Sequence, residues 1–144
     1  MLTLQHVTIN TKDLDKSMEF YEEVFPFTKT ERPDFPFKGA WYWIEPERTM
    51  LHLQENTFQL VDLSGANSID HIALDANEPY QNTLTEHDRW ADFLTSEEIQ
   101  DKWQLDVKFH SFDRTKFLQI FIVDPINFVR WELNFPVKNE DEYR

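Results

Sequence analysis

Four residues of this sequence have side chains that suit a divalent metal and lie in segments with the apolar alternation of a strand: His6, His52, His71 and Glu132. Imidazole nitrogens and carboxylate oxygens bind divalent transition metals, and an imidazole-rich set accepts Zn, Ni, Fe, Mn or Co. The sequence has no cysteine, so any metal must be held by nitrogen and oxygen ligands. Two histidines and one carboxylate would leave coordination positions open for a substrate.

The four residues occupy matching positions in two half-chains. Residues 4–10 (LQHVTIN) and 69–75 (IDHIALD) share one pattern, in which a histidine follows a polar residue and precedes a β-branched one. Residues 50–55 (MLHLQE) and 130–135 (RWELNF) each place a possible ligand between two large apolar residues. The repeat predicts two modules of one domain. These are residues 1–60 and 69–136, joined by a linker 61–68 that contains Gly65 and followed by a charged tail 137–144.

Each module is predicted to have the order βαβββ, which makes the fold class α+β. In the first we expect a strand at 2–10, a helix at 14–25 with Asp13 as its N-cap, and strands at 39–44 and 50–55. In the second we expect a strand at 69–75, one or two helices within 80–103 with possible capping boxes at Thr85 and Thr95, and strands at 105–112, 116–123 and 128–135.

Strand alternation predicts that the four candidate ligands share one side of the sheets. Side chains alternate between the two faces of a strand, so His6 opposes Val7 and Glu132 opposes Leu133. The apolar faces should pack against helices. If a pseudo-twofold relates the modules, the opposite faces bring the three imidazoles and the carboxylate together. A single histidine on a strand more often faces solvent or fills a structural role, but the match between the two half-chains favours a metal site.

These segments together resemble the vicinal oxygen chelate superfamily, which includes glyoxalase I, extradiol dioxygenases, fosfomycin-resistance transferases, methylmalonyl-CoA epimerase and bleomycin-resistance proteins. The resemblance spans about residues 1–136 and rests on 4–9, 13–21, 51–53, 70–73, 124–125 and 131–133. It implies a half-open barrel of two modules around a divalent metal, and a homodimer. His6, His71 and Glu132 match the family's metal ligands, and His52 would be a fourth ligand or a base. Where members often carry a glycine turn, Asn127 is expected to take the left-handed conformation.

The leading hypothesis is a metal-dependent enzyme that acts on a small oxygenated substrate, with His52 and Glu132 as catalytic residues. Lyase, isomerase and dioxygenase chemistry all stay open, because function must be argued from the site. Trp41, Trp43, Arg130 and His110 are candidate pocket residues, although the tryptophans suit a core equally well. The alternative is a metal-free protein that sequesters a small aromatic or cationic molecule, as bleomycin-resistance members do.

Composition excludes several other classes of function. The net charge is −13, whereas nucleic acids and anionic membranes are bound by basic surfaces. No run of about 18 apolar residues is present, and the first ten residues do not form a signal peptide. We therefore expect no nucleic-acid or membrane partner and a cytoplasmic location.

Overall fold

A computed structural model of the chain describes residues 1–55, 69–76, 83–112 and 117–136. The predicted linker 61–68 and the predicted tail 137–144 lie outside these residues. The chain divides into two compact units, Met1–Ala66 and Asn67–Arg144, each with a four-stranded sheet of its own.

The first unit follows the predicted βαβββ order. Its elements are β1 (His6–Thr11), α1 (Leu14–Val24), β2 (Thr28–Thr30), β3 (Gly39–Glu45) and β4 (Thr49–Glu55). The strand order is β1-β4-β3-β2, with β1 parallel to β4 and the other pairs antiparallel. The first strand starts later than predicted, and the three-residue β2 was not located from the sequence.

Helix α1 covers one face of the first sheet. Its N-cap is Asp13 as predicted, whose Oδ1 accepts a hydrogen bond of 3.0 Å from the backbone N–H of Lys16. The helix packs against β4, where Leu51 and Leu53 are fully buried. Because strand side chains alternate, His52 lies on the face of β4 opposite those two leucines.

The second unit repeats this topology with an additional helix. Its elements are β5 (Ile72–Asp75), α2 (Thr83–Leu94), α3 (Glu97–Trp103), β6 (Val107–Phe112), β7 (Phe117–Val123) and β8 (Arg130–Pro136). The strand order β5-β8-β7-β6 has the same parallel first pair. Thr85 lies inside α2, and Ser96 rather than Thr95 caps α3, so both predicted capping boxes were wrong. The α+β class with two βαβββ modules is confirmed.

A buried aspartate organises the turn between β7 and β8. Asp124 Oδ1 accepts hydrogen bonds from the backbone N–H groups of Ile126 at 2.8 Å and Asn127 at 3.0 Å. Asn127 Nδ2 donates to the other carboxylate oxygen at 2.9 Å. The left-handed residue is Phe128, with φ of 60°. The expectation that Asn127 would take this conformation was wrong, because its side chain and N–H group are both engaged by Asp124.

The helices that the structure describes include none that is long and apolar enough to cross a membrane.

Candidate functional site

The second unit places His71 against Glu132. His71 directly precedes β5 and Glu132 lies in the parallel neighbour β8. His71 Nε2 is 2.7 Å from Glu132 Oε2, and the side chains are 35% and 8% exposed respectively. A predicted imidazole and the predicted carboxylate are therefore adjacent, and solvent can reach the imidazole.

The other nitrogen of His71 faces a second carboxylate. Asp70 Oδ2 lies 2.8 Å from His71 Nδ1 and also accepts a hydrogen bond from Arg130 Nη2. The hydrogen bond from His71 is the largest cause that lowers the pKa of Asp70, and Arg130 lowers it further. Arg130, a candidate pocket residue, is thus bound to the carboxylate that orients His71.

Gln119 fixes the other side of Glu132. Its Nε2 atom donates to Glu132 Oε1 at 2.7 Å and to Asn134 Oδ1 at 2.9 Å. This leaves Glu132 Oε2 directed at His71. Sequence reasoning missed Gln119, although it is the single polar residue in β7 (FLQIFIV) and that signal was available.

A cavity of about 330 Å³ opens beside this pair and is lined by Arg130 and His110, among others. The ring of Phe121 makes edge-on contacts with His71 and His110, at centroid distances of 5.7 and 5.3 Å. The Arg130 guanidinium lies 5.6 Å from the Phe121 centroid. The candidate pocket residues of this unit therefore lie around a single cavity with His71.

The first unit stacks the other two histidines. β1 is parallel to β4, and the rings of His6 and His52 lie 4.2 Å apart at an interplanar angle of 13°. His6 Nδ1 is 2.9 Å from Gln5 Oε1. His52 Nε2 is buried and has no hydrogen-bond partner among the residues that the structure describes. Buried polar atoms are normally paired, so this nitrogen fits a metal ligand or a proton acceptor.

The environment of His52 keeps its ring uncharged. The pKa of His52 is lowered from 6.5 to about 4. Burial is the largest cause, and the positive charges of the nearby His6 and Arg32 contribute to the same shift. A neutral imidazole is the form that binds a metal or accepts a proton. The ring is thus ready for either predicted role at neutral pH.

Aromatic residues continue the stack into a second cavity. Trp41 lies on the other side of His52, with ring centroids 4.1 Å apart and an interplanar angle of 6°. The cavity has a volume of about 600 Å³, and Trp41, Trp43, His6 and His52 all line it. The tryptophans that the sequence offered either for a pocket or for a core therefore line a pocket.

Each unit thus supplies one pair of predicted ligands, His6 with His52 and His71 with Glu132. Among the described residues of either unit, no three histidine, aspartate or glutamate side chains lie close enough together to hold a metal ion. Three imidazoles and a carboxylate fit a divalent transition metal in donor chemistry.

A sequence model of the Glyoxalase/Bleomycin resistance protein/Dioxygenase superfamily matches residues 3–105. The chain belongs to this superfamily. A comparison with curated proteins found no match.

Two solved structures share the fold of this chain. A mutant of the fosfomycin resistance protein FosX from Listeria monocytogenes, complexed with Mn(II) and 1S,2S-dihydroxypropylphosphonic acid, is 15% identical with a TM-score of 0.66. That match covers 99% of this chain and 97% of FosX. Lactoylglutathione lyase from Agrobacterium tumefaciens is 18% identical with a TM-score of 0.60, covering 93% of each chain. These similarities confirm the predicted glyoxalase-like fold.

Proposed function

We propose that this protein is a metal-dependent enzyme that acts on a small oxygenated substrate. His6, His71 and Glu132 would hold a divalent metal, and His52 would be a fourth ligand or a base. The observation that carries the proposal is the pairing of His71 Nε2 with Glu132 Oε2 at 2.7 Å. FosX, similar in fold, was crystallised with Mn(II), which supports a divalent ion without selecting among Zn, Ni, Fe, Mn and Co.

The hydrogen bonds around the second pair suit ligand roles. Both nitrogens of His71 face carboxylate oxygens, and only a doubly protonated ring could donate to both. A ring that binds an ion through Nε2, next to Glu132, keeps only the proton on Nδ1. Asp70 would hold the remaining proton on Nδ1, and Gln119 would hold Glu132 in place.

The reaction would use charge stabilisation by the metal and proton transfer by the chain. A bound divalent ion supplies Lewis-acid stabilisation of negative charge on substrate oxygens. The neutral ring of His52 has an unpaired Nε2 whose lone pair could take up a proton or bind the ion. Its lowered pKa makes it a weaker base than an ordinary histidine. Lyase, isomerase and dioxygenase reactions are all compatible with these roles.

Further parts of the proposal concern the whole protein. We infer that the two modules form a single domain, that the protein is a homodimer as the resemblance implies, and that it is cytoplasmic. The partner of the site would be a small molecule.

A metal-free binding protein of the bleomycin-resistance type is the second candidate. The observation that favours it is the 600 Å³ aromatic cavity of the first unit, which could hold an organic molecule without any ion.

Metal analysis of the untagged protein separates the two candidates. For the enzyme we expect a stoichiometric divalent metal that is lost in His71→Ala and Glu132→Ala, and a melting temperature that rises when the matching ion is added. His87→Gln is the matched control, because His87 packs against Phe135 and not in either cavity. Protein that neither contains nor binds a metal would leave the binding protein as the function.

A further inference from the structure

We propose that the cavity of the first unit holds the organic part of the substrate, and that this substrate is a flat organic anion whose charged group binds Arg32. The inference rests on the proposed function, because it names the substrate class for the site that His6 and His52 help to form. The cavity lies wholly within the first unit.

The walls of the cavity are flat and aromatic. Trp41 stacks on His52, Phe35 lies 6.1 Å from Trp41, and Phe35 stacks on Phe37 at 5.3 Å and 12°. Phe35 and Phe37 remain 40% and 43% exposed. Aromatic faces pack well against other planar groups, so these walls fit a flat, apolar molecule.

Arg32 is fixed at this aromatic wall. Its guanidinium carbon lies 4.9 Å from the ring centroids of both Phe35 and Phe37, and its Nη2 donates to the backbone carbonyl of Phe37 at 2.8 Å. Gly39 makes room for it, since a Cβ there would lie 2.9 Å from Arg32 Nε. A guanidinium held in this way loses little freedom when it binds a ligand.

The charge of Arg32 is not neutralised by the part of the chain that the structure describes. No aspartate or glutamate among those residues pairs with it, although the protein carries 27 acidic side chains. The other arginine at the cavity, Arg48, contacts Glu45 at 3.3 Å. Arg32 is therefore the cation available to an anionic group, and its planar fork suits a carboxylate.

The test compares two naphthalene probes of similar shape on protein stripped of metal by a chelator. By isothermal titration calorimetry we expect 1-naphthoate to bind at least about 10-fold more tightly than neutral 1-naphthamide, the size of effect expected for a charge-assisted hydrogen bond. Arg32→Gln should remove that difference by weakening 1-naphthoate alone. Trp41→Leu should weaken both probes.

Arg48→Gln is the matched control and should change 1-naphthoate binding by less than about 3-fold, because a charge paired at an exposed site contributes little. Arg32→Lys, which keeps the charge, should recover part of the affinity. Equal affinities of the two probes for the unchanged protein would overturn the inference even if Arg32→Gln failed to fold. The inference would also be overturned if a folded Arg32→Gln variant bound 1-naphthoate as tightly as the unchanged protein, or if neither probe bound.

Metal binding, measured separately, keeps this inference distinct from the proposed function. Arg32→Gln should retain the metal. Selective 1-naphthoate binding by a protein that takes up no metal would support the anion site and overturn the metal-dependent enzyme. Metal uptake without probe selectivity would support the metal-dependent enzyme and overturn the anion site.

Discussion

Glu132 and His71 are each held by a partner that leaves one atom directed at the other. Gln119 occupies Glu132 Oε1, and Asp70 occupies His71 Nδ1. Residues that orient metal ligands in this way raise metal affinity, because they fix the ring and increase its basicity. The neutral, buried His52 Nε2 is the corresponding feature of the first unit.

Asp70→Asn should lower metal affinity by about 10-fold, since partners of this type typically contribute a factor of about 10 to 100. Competition with a chromophoric chelator would measure the change. Asp106→Asn is the control, because Asp106 lines the same cavity but forms an ion pair with Lys108. Equal losses in the two variants would mean that Asp70 does not orient His71.

His52 should titrate at a pKa of about 4 in the metal-free protein, well below an unfolded histidine at about 6.5. Between these values the unfolded chain binds a proton that the folded ring rejects. The contribution to stability is therefore complete above about pH 6.5 and is lost as the pH falls towards 4.

Ring-proton NMR across this range, with urea unfolding at pH 7 and pH 5, would check both statements. His52→Gln should lose less stability between pH 7 and pH 5 than the unchanged protein. The control His87→Gln should lose as much as the unchanged protein. Titration of His52 near 6.5 would show that its ring is not desolvated.

At the scale of elements, strand alternation was the most informative signal in the sequence. It correctly placed Leu51 and Leu53 on the buried face of β4 and His52 on the other. No comparable signal was available for β2, because three residues are too few to show a period. The turn after β7 was predicted, but its left-handed position was assigned to Asn127 from residue preference alone.

Phe128→Gly should raise the free energy of unfolding by about 0.5 to 1 kcal/mol, because φ of 60° strains any residue with a Cβ. Little packing would be lost, since Phe128 is 77% exposed. Urea denaturation gives the value. Phe128→Ala removes the ring but keeps the Cβ, so it should not share the gain. Equal stabilities of the two variants would show that backbone strain is absent.

At the scale of the whole molecule, the internal repeat predicted the α+β fold, and the resemblance of particular segments to known proteins predicted the superfamily. The pairing within each unit, His6 with His52 and His71 with Glu132, was not predicted; it follows from the parallel pairs β1–β4 and β5–β8. Gln119 and Arg32 were not predicted. Gln119 contacts Glu132 across the sheet, and Arg32 stacks on phenylalanine rings. Such contacts leave no periodic signal in the sequence, and neither residue belongs to the repeat.

The proposed function depends most directly on His6, His71 and Glu132 being ligands of a divalent ion. Titration of chelator-treated protein with Mn(II), Ni(II) or Zn(II) by calorimetry tests this directly. We predict one ion per chain, with affinity lowered by more than about 100-fold in His6→Ala of the first unit and equally in His71→Ala and Glu132→Ala of the second, a larger effect than the loss of an orienting partner. A His6→Ala, His71→Ala or Glu132→Ala variant that binds the ion as tightly as the unchanged protein would contradict this ligand set.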